Sequence, residues 1–304
     1  MKPLRTSFIA LCAAFVFFGA AVMYQKTEKK PQIIGGYTFA QSYGRLINSN
    51  KIVLNDGKNK FSLIMKDGNW RIEERNMYFA DHNIVNFLAS AISRSRIKNF
   101  QSEGDEDFEF VPEWYITIYD GEKVLDEIAV KKNVDGRYLG KISGNDELYE
   151  FSGYFDFPHE YKVWLVQPLV SIKADDIYEV KYGDNSIRRN LEDNSFSFSK
   201  EEDKDKLFAA LSQLAYLDFS NAERTEEIKG KSDITTFSVE LFSGLIYNFE
   251  IYTANDKYFV ELKADVAPAS DFGTKEYVEQ NKVLYDGWAF ELDPERYEIF
   301  SALK

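Results

Sequence analysis

The chain is poor in residues that bind metals and form cross-links. Cys12 is the only cysteine among 304 residues, so the chain can form no intramolecular disulfide and no thiolate metal cluster. The only histidines are His82 and His159, too few for a convincing zinc site. Each histidine lies at a predicted helix start, where a solvated side chain is the simpler interpretation than a catalytic base.

Motifs of common enzyme sites are missing as well. The sequence contains no G-x-S-x-G nucleophile turn, no G-x-x-x-x-G-K-[ST] phosphate loop and no G-x-G-x-x-G dinucleotide loop. Two acidic segments, 103–109 and 201–205, lack the ligand spacing of a calcium loop. We therefore predict a non-enzymatic protein with no catalytic, cofactor-binding or metal-binding residues.

Positive charge is scarce outside the first 30 residues. The whole chain has a net charge of −13 and its first 30 residues carry +4, so the remainder carries −17. Such a body is repelled by nucleic acids and by anionic lipid headgroups. We predict that nucleic acid is not a partner.

One long apolar run is present, at residues 8–24, and Lys2 and Arg5 precede it. As a helix its 17 residues span about 26 Å, close to the hydrocarbon thickness of a bilayer. With the positive end retained in the cytoplasm, the run predicts a signal-anchor over residues 1–30 in a bacterial inner membrane, single-pass, with the body in the periplasm. A signal peptide cleaved after Ala21 and a lipoprotein modified at Cys12 are the alternatives.

The rest of the chain repeats one order of elements, which predicts a linker over residues 31–44 and two units, 45–168 and 169–304. The fold class is α+β: two similar antiparallel-sheet units, each covered by helices, after one N-terminal transmembrane helix. In the first unit we predict strands within 51–74, a helix over 81–99 capped by Asp81, strands at 114–130, 137–142 and 147–153, and a closing helix that begins at Pro158. In the second we predict strands at 176–183 and 195–199, a helix over 200–217 with a Ser199–Glu202 capping box, strands at 235–242, 245–253, 257–264 and 287–292, and a closing helix that begins at Pro294.

Apolar residues recur at matching spacings in the two units. Leu88 and Ile92 are spaced as are Leu207 and Leu211, each pair on one helix face. Trp70 alternates with Ile72 along a predicted strand, which predicts that Trp70 packs beneath the first sheet with Leu88.

Several segments resemble the bacterial family known as domain of unknown function 4340. In residues 70–92 a Trp ends a strand, an Ala80-Asp81 step follows, and an amphipathic helix begins. Residues 127–142, 164–180, 243–252 and 257–262 are similar to later parts of that family, and the resemblance spans roughly residues 46–290. The family often has glycine where Lys131 or Lys132 stands, so the match is weaker there. The resemblance implies an N-terminal membrane helix and an association with uncharacterised or gliding-type ABC transporters; it implies no catalytic residues.

Three functions remain open. The first is a membrane-anchored envelope protein that binds another protein, with an ABC-type transporter as a candidate partner. The second is a periplasmic module that binds a small molecule or glycan in a groove between the two units. The third is a hydrolase of unrecognised type, which would require two carboxylates buried together with perturbed pKa values.

Overall fold

A computed structural model describes residues 40–101, 110–142, 148–193, 195–196, 198 and 201–304. The predicted signal-anchor and the predicted cap residue Ser199 lie outside the described residues. None of the helices in these ranges is both long and apolar enough to cross a membrane.

The described residues form sixteen strands and six α-helices. The strands are β1 (Lys51–Asn55), β2 (Lys60–Lys66), β3 (Asn69–Ile72), β4 (Tyr78–Phe79), β5 (Arg96–Gln101), β6 (Trp114–Asp120), β7 (Lys123–Lys132), β8 (Tyr138–Ile142), β9 (Leu148–Ser152), β10 (Ile177–Tyr182), β11 (Asn185–Arg188), β12 (Asn221–Arg224), β13 (Ser232–Leu241), β14 (Leu245–Ala254), β15 (Lys257–Val266) and β16 (Trp288–Leu292). The α-helices are α1 (Ala40–Ile47), α2 (His82–Arg94), α3 (Tyr161–Trp164), α4 (Glu201–Leu214), α5 (Phe272–Asn281) and α6 (Pro294–Ser301). Short 3₁₀ turns lie at Glu73–Arg75, Ala174–Asp176, Thr225–Glu227 and Lys282–Leu284.

The strands form two antiparallel sheets, which confirms the α+β class. The first sheet has the order β4-β3-β2-β1-β6-β7-β8-β9-β5, and the second has the order β11-β10-β13-β14-β15-β16-β12. No hydrogen-bonded ladder joins the two sheets within the described residues.

The two sheets share a connectivity. If β3 and β4 are set aside, the first sheet reads β2-β1-β6-β7-β8-β9-β5, and each strand has a counterpart at the same place in the second sheet. In both, a hairpin is followed by a helix, then by a strand at the far edge, then by a four-strand meander. The pair β3 and β4 extends only the first sheet, and α5 is inserted only in the second.

Local sequence signals set several of these boundaries. The turn between β2 and β3 has positive φ at Asp67 and Gly68, as a two-residue hairpin turn requires. The Asp81 side chain accepts a hydrogen bond from the Asn83 amide and caps α2, as predicted. Pro294 is the first residue of α6, also as predicted.

Aromatic rings fill the contact between the two sheets. Tyr78 of the first sheet is 1% exposed and makes edge contacts with Phe219, Trp288 and Phe290 of the second, at centroid distances of 5.6, 4.9 and 5.5 Å. Its hydroxyl donates to the Leu284 carbonyl at 3.3 Å. Most buried apolar side chains of both sheets consequently belong to one contiguous core, and a smaller cluster around Tyr252 and Phe259 lies in the second sheet.

The Gln167 side chain anchors the connection between the sheets by a pair of hydrogen bonds to one backbone residue, as a neighbouring β-strand would. The Gln167 amide group donates to the Phe219 carbonyl at 2.7 Å and accepts from the Phe219 amide at 3.2 Å. Nearby, Val170 forms an isolated antiparallel bridge with Leu217. These bonds fix the connection against the second sheet.

Three predicted boundaries in the first unit are wrong. The helix predicted over 81–99 ends at Arg94, because the chain turns extended at Ser95 and then pairs as β5 with β9. The predicted linker already contains the start of α1, which packs on α2 and places Arg45 3.2 Å from the Asp126 carboxylate. The closing helix is the single turn α3, and Pro158 precedes it.

In the second unit, part of the predicted strand at 195–199 lies outside the described residues. Of its described residues, Phe196 forms an isolated bridge with Arg189, whereas the strand paired with β10 at the sheet edge is β11. Helix α4 ends at Leu214, three residues earlier than predicted. Strand β12 and helix α5 were not predicted, because neither segment has apolar residues spaced at the period of a strand or a helix.

The prediction for Trp70 holds only in part. Leu88 and Ile72 are fully buried, but Trp70 is partly buried and packs at the margin of the core. Trp70 lies next to the hairpin turn where strand β3 begins, so few neighbouring residues cover its ring.

Candidate functional site

A cavity with a mainly apolar lining lies in the second unit; we call it the aromatic pocket. Its volume is about 660 Å³, within the range typical of ligand sites. Its lining consists of Ile172, Ala174, Asp175, Arg189, Ser195, Phe196, Phe198, Lys204, Phe208, Leu211, Ser212 and Ala215.

Helix α4 supplies one wall of the aromatic pocket. Leu207 and Leu214 of this helix are fully buried, which fixes the rotation of α4 on the second sheet. Phe208 comes directly after Leu207 and so points away from that core, toward the pocket. Its ring lies 5.5 Å from Phe198 and 6.4 Å from Phe196, between centroids. Three phenylalanine rings thus form an open cluster at the pocket.

Arg189 supports the opposite wall. This side chain is 8% exposed; its guanidinium donates to the Ile177 carbonyl at 2.9 Å and also to the Ala174 carbonyl. The same guanidinium lies over the Phe196 ring, 4.4 Å from the centroid. Arg189 therefore holds Phe196 against the 3₁₀ turn that starts at Ala174, and the pocket wall is fixed before any ligand binds.

The pocket is bordered by exposed apolar side chains. Phe208 is 44% exposed although it lines the cavity. Leu191, two residues after Arg189, is 75% exposed, and Tyr216, next to Ala215, is 56% exposed. Apolar side chains grouped at the rim of a pocket are typical of surfaces that bind another molecule.

The serine hydroxyls at the aromatic pocket are engaged in local hydrogen bonds. Ser195 donates to the Asp193 carboxylate at 2.7 Å, and Ser212 donates to the Ala209 carbonyl of its own helix at 2.6 Å. No histidine is among the described residues that line the pocket.

A second, more polar cavity of about 380 Å³ lies on the open face of the second sheet. There Glu250 and Glu261 are directly opposite each other on β14 and β15. Lys231 lies between them, with Nζ 2.9 Å from Glu250 and 2.6 Å from Glu261. Burial raises the pKa of the neighbouring Tyr252, and its hydroxyl donates to Glu261 at 2.8 Å. Glu250 and Glu261 therefore share one lysine as an ion-pair partner.

The histidines differ in their surroundings. His82 is exposed, in line with the solvated interpretation, but His159 takes part in a cluster that the sequence did not reveal. Its Nδ1 lies 2.6 Å from Asp56, its Nε2 lies 3.8 Å from Glu113, and its ring stacks on Trp114 at 4.8 Å.

Asp56 is the buried member of this cluster, with a side chain only 3% exposed. Burial by itself would raise its pKa. Hydrogen bonds from the Asn59 amide at 2.5 Å, from His159 and from the Lys58 amide outweigh burial and lower the pKa of Asp56 to about 2. Asn59 also donates to the His159 carbonyl at 3.2 Å. These hydrogen bonds attach the segment before α3 to the β1–β2 turn.

In the part of the chain that the structure describes, no group of three or more His, Cys, Asp or Glu residues is placed to hold a metal ion. Comparisons with protein-family models, curated proteins and solved structures find no significant match to this chain.

Proposed function

We propose that this chain is a membrane-anchored, non-enzymatic protein of the bacterial envelope that binds another protein through the aromatic pocket of its second unit. The observation that carries the proposal is the pocket itself: three phenylalanine rings beside a braced arginine, with Phe208 left 44% exposed. An apolar side chain of a partner, inserted between these rings, would bury Phe208. Buried aromatic anchors of this kind dominate the binding energy of protein interfaces.

The membrane anchor and the type of partner rest on the sequence. The apolar run at 8–24 and its basic flank support a single-pass protein of the inner membrane with a periplasmic body. The resemblance to domain of unknown function 4340 supports an ABC-type transporter as the partner. We also propose that the two units arose by duplication, since seven strands share one order.

Site-specific photo-crosslinking in intact cells tests the proposal. A photo-reactive phenylalanine analogue at position 208 should crosslink to one envelope protein, which mass spectrometry identifies. The matched control is position 115, because Tyr115 is 50% exposed but lies on β6 in the first unit. Crosslinks of equal yield at both positions, or at 115 alone, would reject the pocket as the binding surface.

A second test uses the purified partner. Phe208→Asp places a charge among the rings and should weaken binding by at least tenfold, whereas Tyr115→Asp in the first unit should leave the affinity within about twofold. Both side chains are partly exposed, so both variants should fold. An unchanged affinity for Phe208→Asp contradicts the proposal.

A small apolar molecule is the second candidate ligand. The volume of the aromatic pocket fits one, and Lys204 and Ser212 add polar groups at its wall. The pocket lies within the second unit, whereas the sequence suggested a groove between the units, where the described contact is filled by the rings around Tyr78. Extraction of the purified protein with organic solvent, followed by mass spectrometry, should then recover a molecule that is absent from the Phe208→Asp variant.

A further inference from the structure

Two arginines, one from each sheet, meet where the sheets adjoin; we call them the junction arginines, Arg71 and Arg224. The Asn76 side chain donates to the Ala222 carbonyl at 3.0 Å, which joins the β3–β4 connection to the edge strand β12. Arg71 donates to the carbonyl of Met77, the residue after Asn76, at 3.1 Å. Arg224 comes two residues after Ala222, at the end of β12. A single contact between the units therefore brings both arginines to the same junction.

Both guanidinium groups lie over aromatic rings. Arg71 lies over Phe79 at 4.1 Å from the ring centroid, and Arg224 lies over Trp288 at 3.8 Å. Phe79 is the neighbour of Tyr78, whose own ring contacts Trp288 at 4.9 Å. Stacking covers the faces of a guanidinium, and its N–H groups point outward in the plane, where a planar or tetrahedral oxyanion accepts them two at a time.

The junction arginines have no carboxylate partner among the described residues, although the chain has 50 acidic residues. Arg71 is only 8% exposed, and its Nε is buried without a hydrogen-bond acceptor. Several other arginines are ion-paired: Arg45 with Asp126, Arg137 with Glu150, and Arg188 with Glu179. Burial of the Arg71 guanidinium without an ion-paired carboxylate is unfavourable, so an anion from outside the chain would stabilise it.

The two charges also influence each other. Burial lowers the pKa of Arg71, the carboxylate of Asp67 opposes this change, and the positive charge of Arg224 lowers the pKa further. An anion bound between the two guanidinium groups would relieve this repulsion.

We propose that Arg71 and Arg224 form a binding site for a phosphate group carried by a small, water-soluble molecule. A phosphate carries about two negative charges near neutral pH and offers three acceptor oxygens, which match two guanidinium groups better than one carboxylate does. Nucleic acids and anionic bilayers are disfavoured as the source of the phosphate, because the body carries −17. The site joins the two units, so its ligand would stabilise their packing.

The test is a thermal-unfolding titration of the purified full-length chain in detergent. Inorganic phosphate and glycerol phosphate are each added at constant ionic strength, with chloride as the replaced anion. The wild type should show a saturable rise in Tm with at least one of them, because a ligand that binds only the folded state stabilises it by mass action. Arg224→Gln should weaken the apparent affinity at least tenfold, and Arg224→Lys, which keeps the charge but loses the fork of donors, should weaken it less.

Arg188→Gln is the matched control, because Arg188 is a stacked arginine of the same unit that pairs with Glu179. This variant should keep the wild-type response. Arg71→Lys, tested in place of a neutral variant that would leave a cavity, should lose affinity as Arg224→Lys does. Equal responses of the wild type and Arg224→Gln would mean a general salt effect and would overturn the proposal, as would a wild type that responds to neither phosphate compound more than to chloride.

Discussion

Tyr78 is the side chain whose removal should most affect the contact between the two units. It is 1% exposed and contacts Phe219, Trp288 and Phe290 of the second sheet, with centroid distances between 4.9 and 5.6 Å. Its hydroxyl donates to the Leu284 carbonyl at 3.3 Å. Two substitutions separate these contributions: Tyr78→Phe removes only the hydrogen bond, and Tyr78→Ala removes the ring as well.

The structure sets a magnitude for each substitution. Loss of the hydroxyl leaves one buried carbonyl without its donor, so Tyr78→Phe should lower the free energy of unfolding by about 1 kcal/mol. Loss of a fully buried aromatic ring leaves a cavity, so Tyr78→Ala should lower it by about 3 to 5 kcal/mol. A double-mutant cycle of Tyr78→Ala with Trp288→Ala should give a coupling energy of roughly 0.5 to 1.5 kcal/mol, as edge-to-face pairs do.

Urea unfolding, followed by tryptophan fluorescence and by circular dichroism, measures these free energies. Tyr115→Ala is the matched control, because Tyr115 is 50% exposed on β6 and should cost less than about 1 kcal/mol. The reasoning is refuted if Tyr78→Ala costs less than about 1 kcal/mol, or if Tyr78→Phe costs as much as Tyr78→Ala.

Three further predictions concern the first unit and the helix caps. Folding lowers the pKa of Asp56 from 3.8 to about 2, so its ionised form stabilises the protein above pH 4 and this stability is lost as the pH falls through 2. In acid titrations followed by circular dichroism, the free energy of unfolding of the wild type should fall by about 1 to 2 kcal/mol over this range. The Asp56→Asn variant should not show this loss. Trp70→Ala should cost about 2 kcal/mol in urea unfolding, below the 3 to 5 kcal/mol of a fully buried tryptophan, because its ring is partly exposed; a cost above about 4 kcal/mol would contradict this. Asp81→Ala and Asp293→Ala each remove a helix cap and should each cost about 1 kcal/mol; additive costs in the double variant would show that α2 and α6 are capped independently, and no loss in either variant would contradict the assigned role.

Local patterns correctly predicted the strands and helices whose apolar residues recur at the period of a strand or a helix. Alternation gave β13, β14 and β15 near their observed bounds, and the helical spacing of Leu88 and Ile92 identified the buried face of α2. The same alternation predicted a strand at 195–199, of which the described Phe196 forms an isolated bridge with Arg189. Phe196 and Phe198 also line the aromatic pocket beside Phe208, a role that the alternation did not reveal.

The candidate sites escaped prediction because their members are far apart in sequence. Asp56 and His159 are separated by 103 residues, and Arg71 lies on the first sheet while Arg224 lies on the second. No periodic signal links such residues. A buried aspartate in a turn looks the same in sequence as an exposed one.

The sequence by itself determined the α+β class, the antiparallel hairpins, the helix cap at Asp81, the helix start at Pro294 and the acidic character of the body, since each depends on residues within a few positions of one another or on composition. Only the tertiary structure decided that the two sheets pack through Tyr78 into one contiguous core. It also placed the Phe208 ring beside Phe198 and the two junction arginines at one contact between the units. The physical reason is that burial and pairing depend on which surfaces meet, and this follows from the packing of whole sheets and helices over distances that no local pattern records.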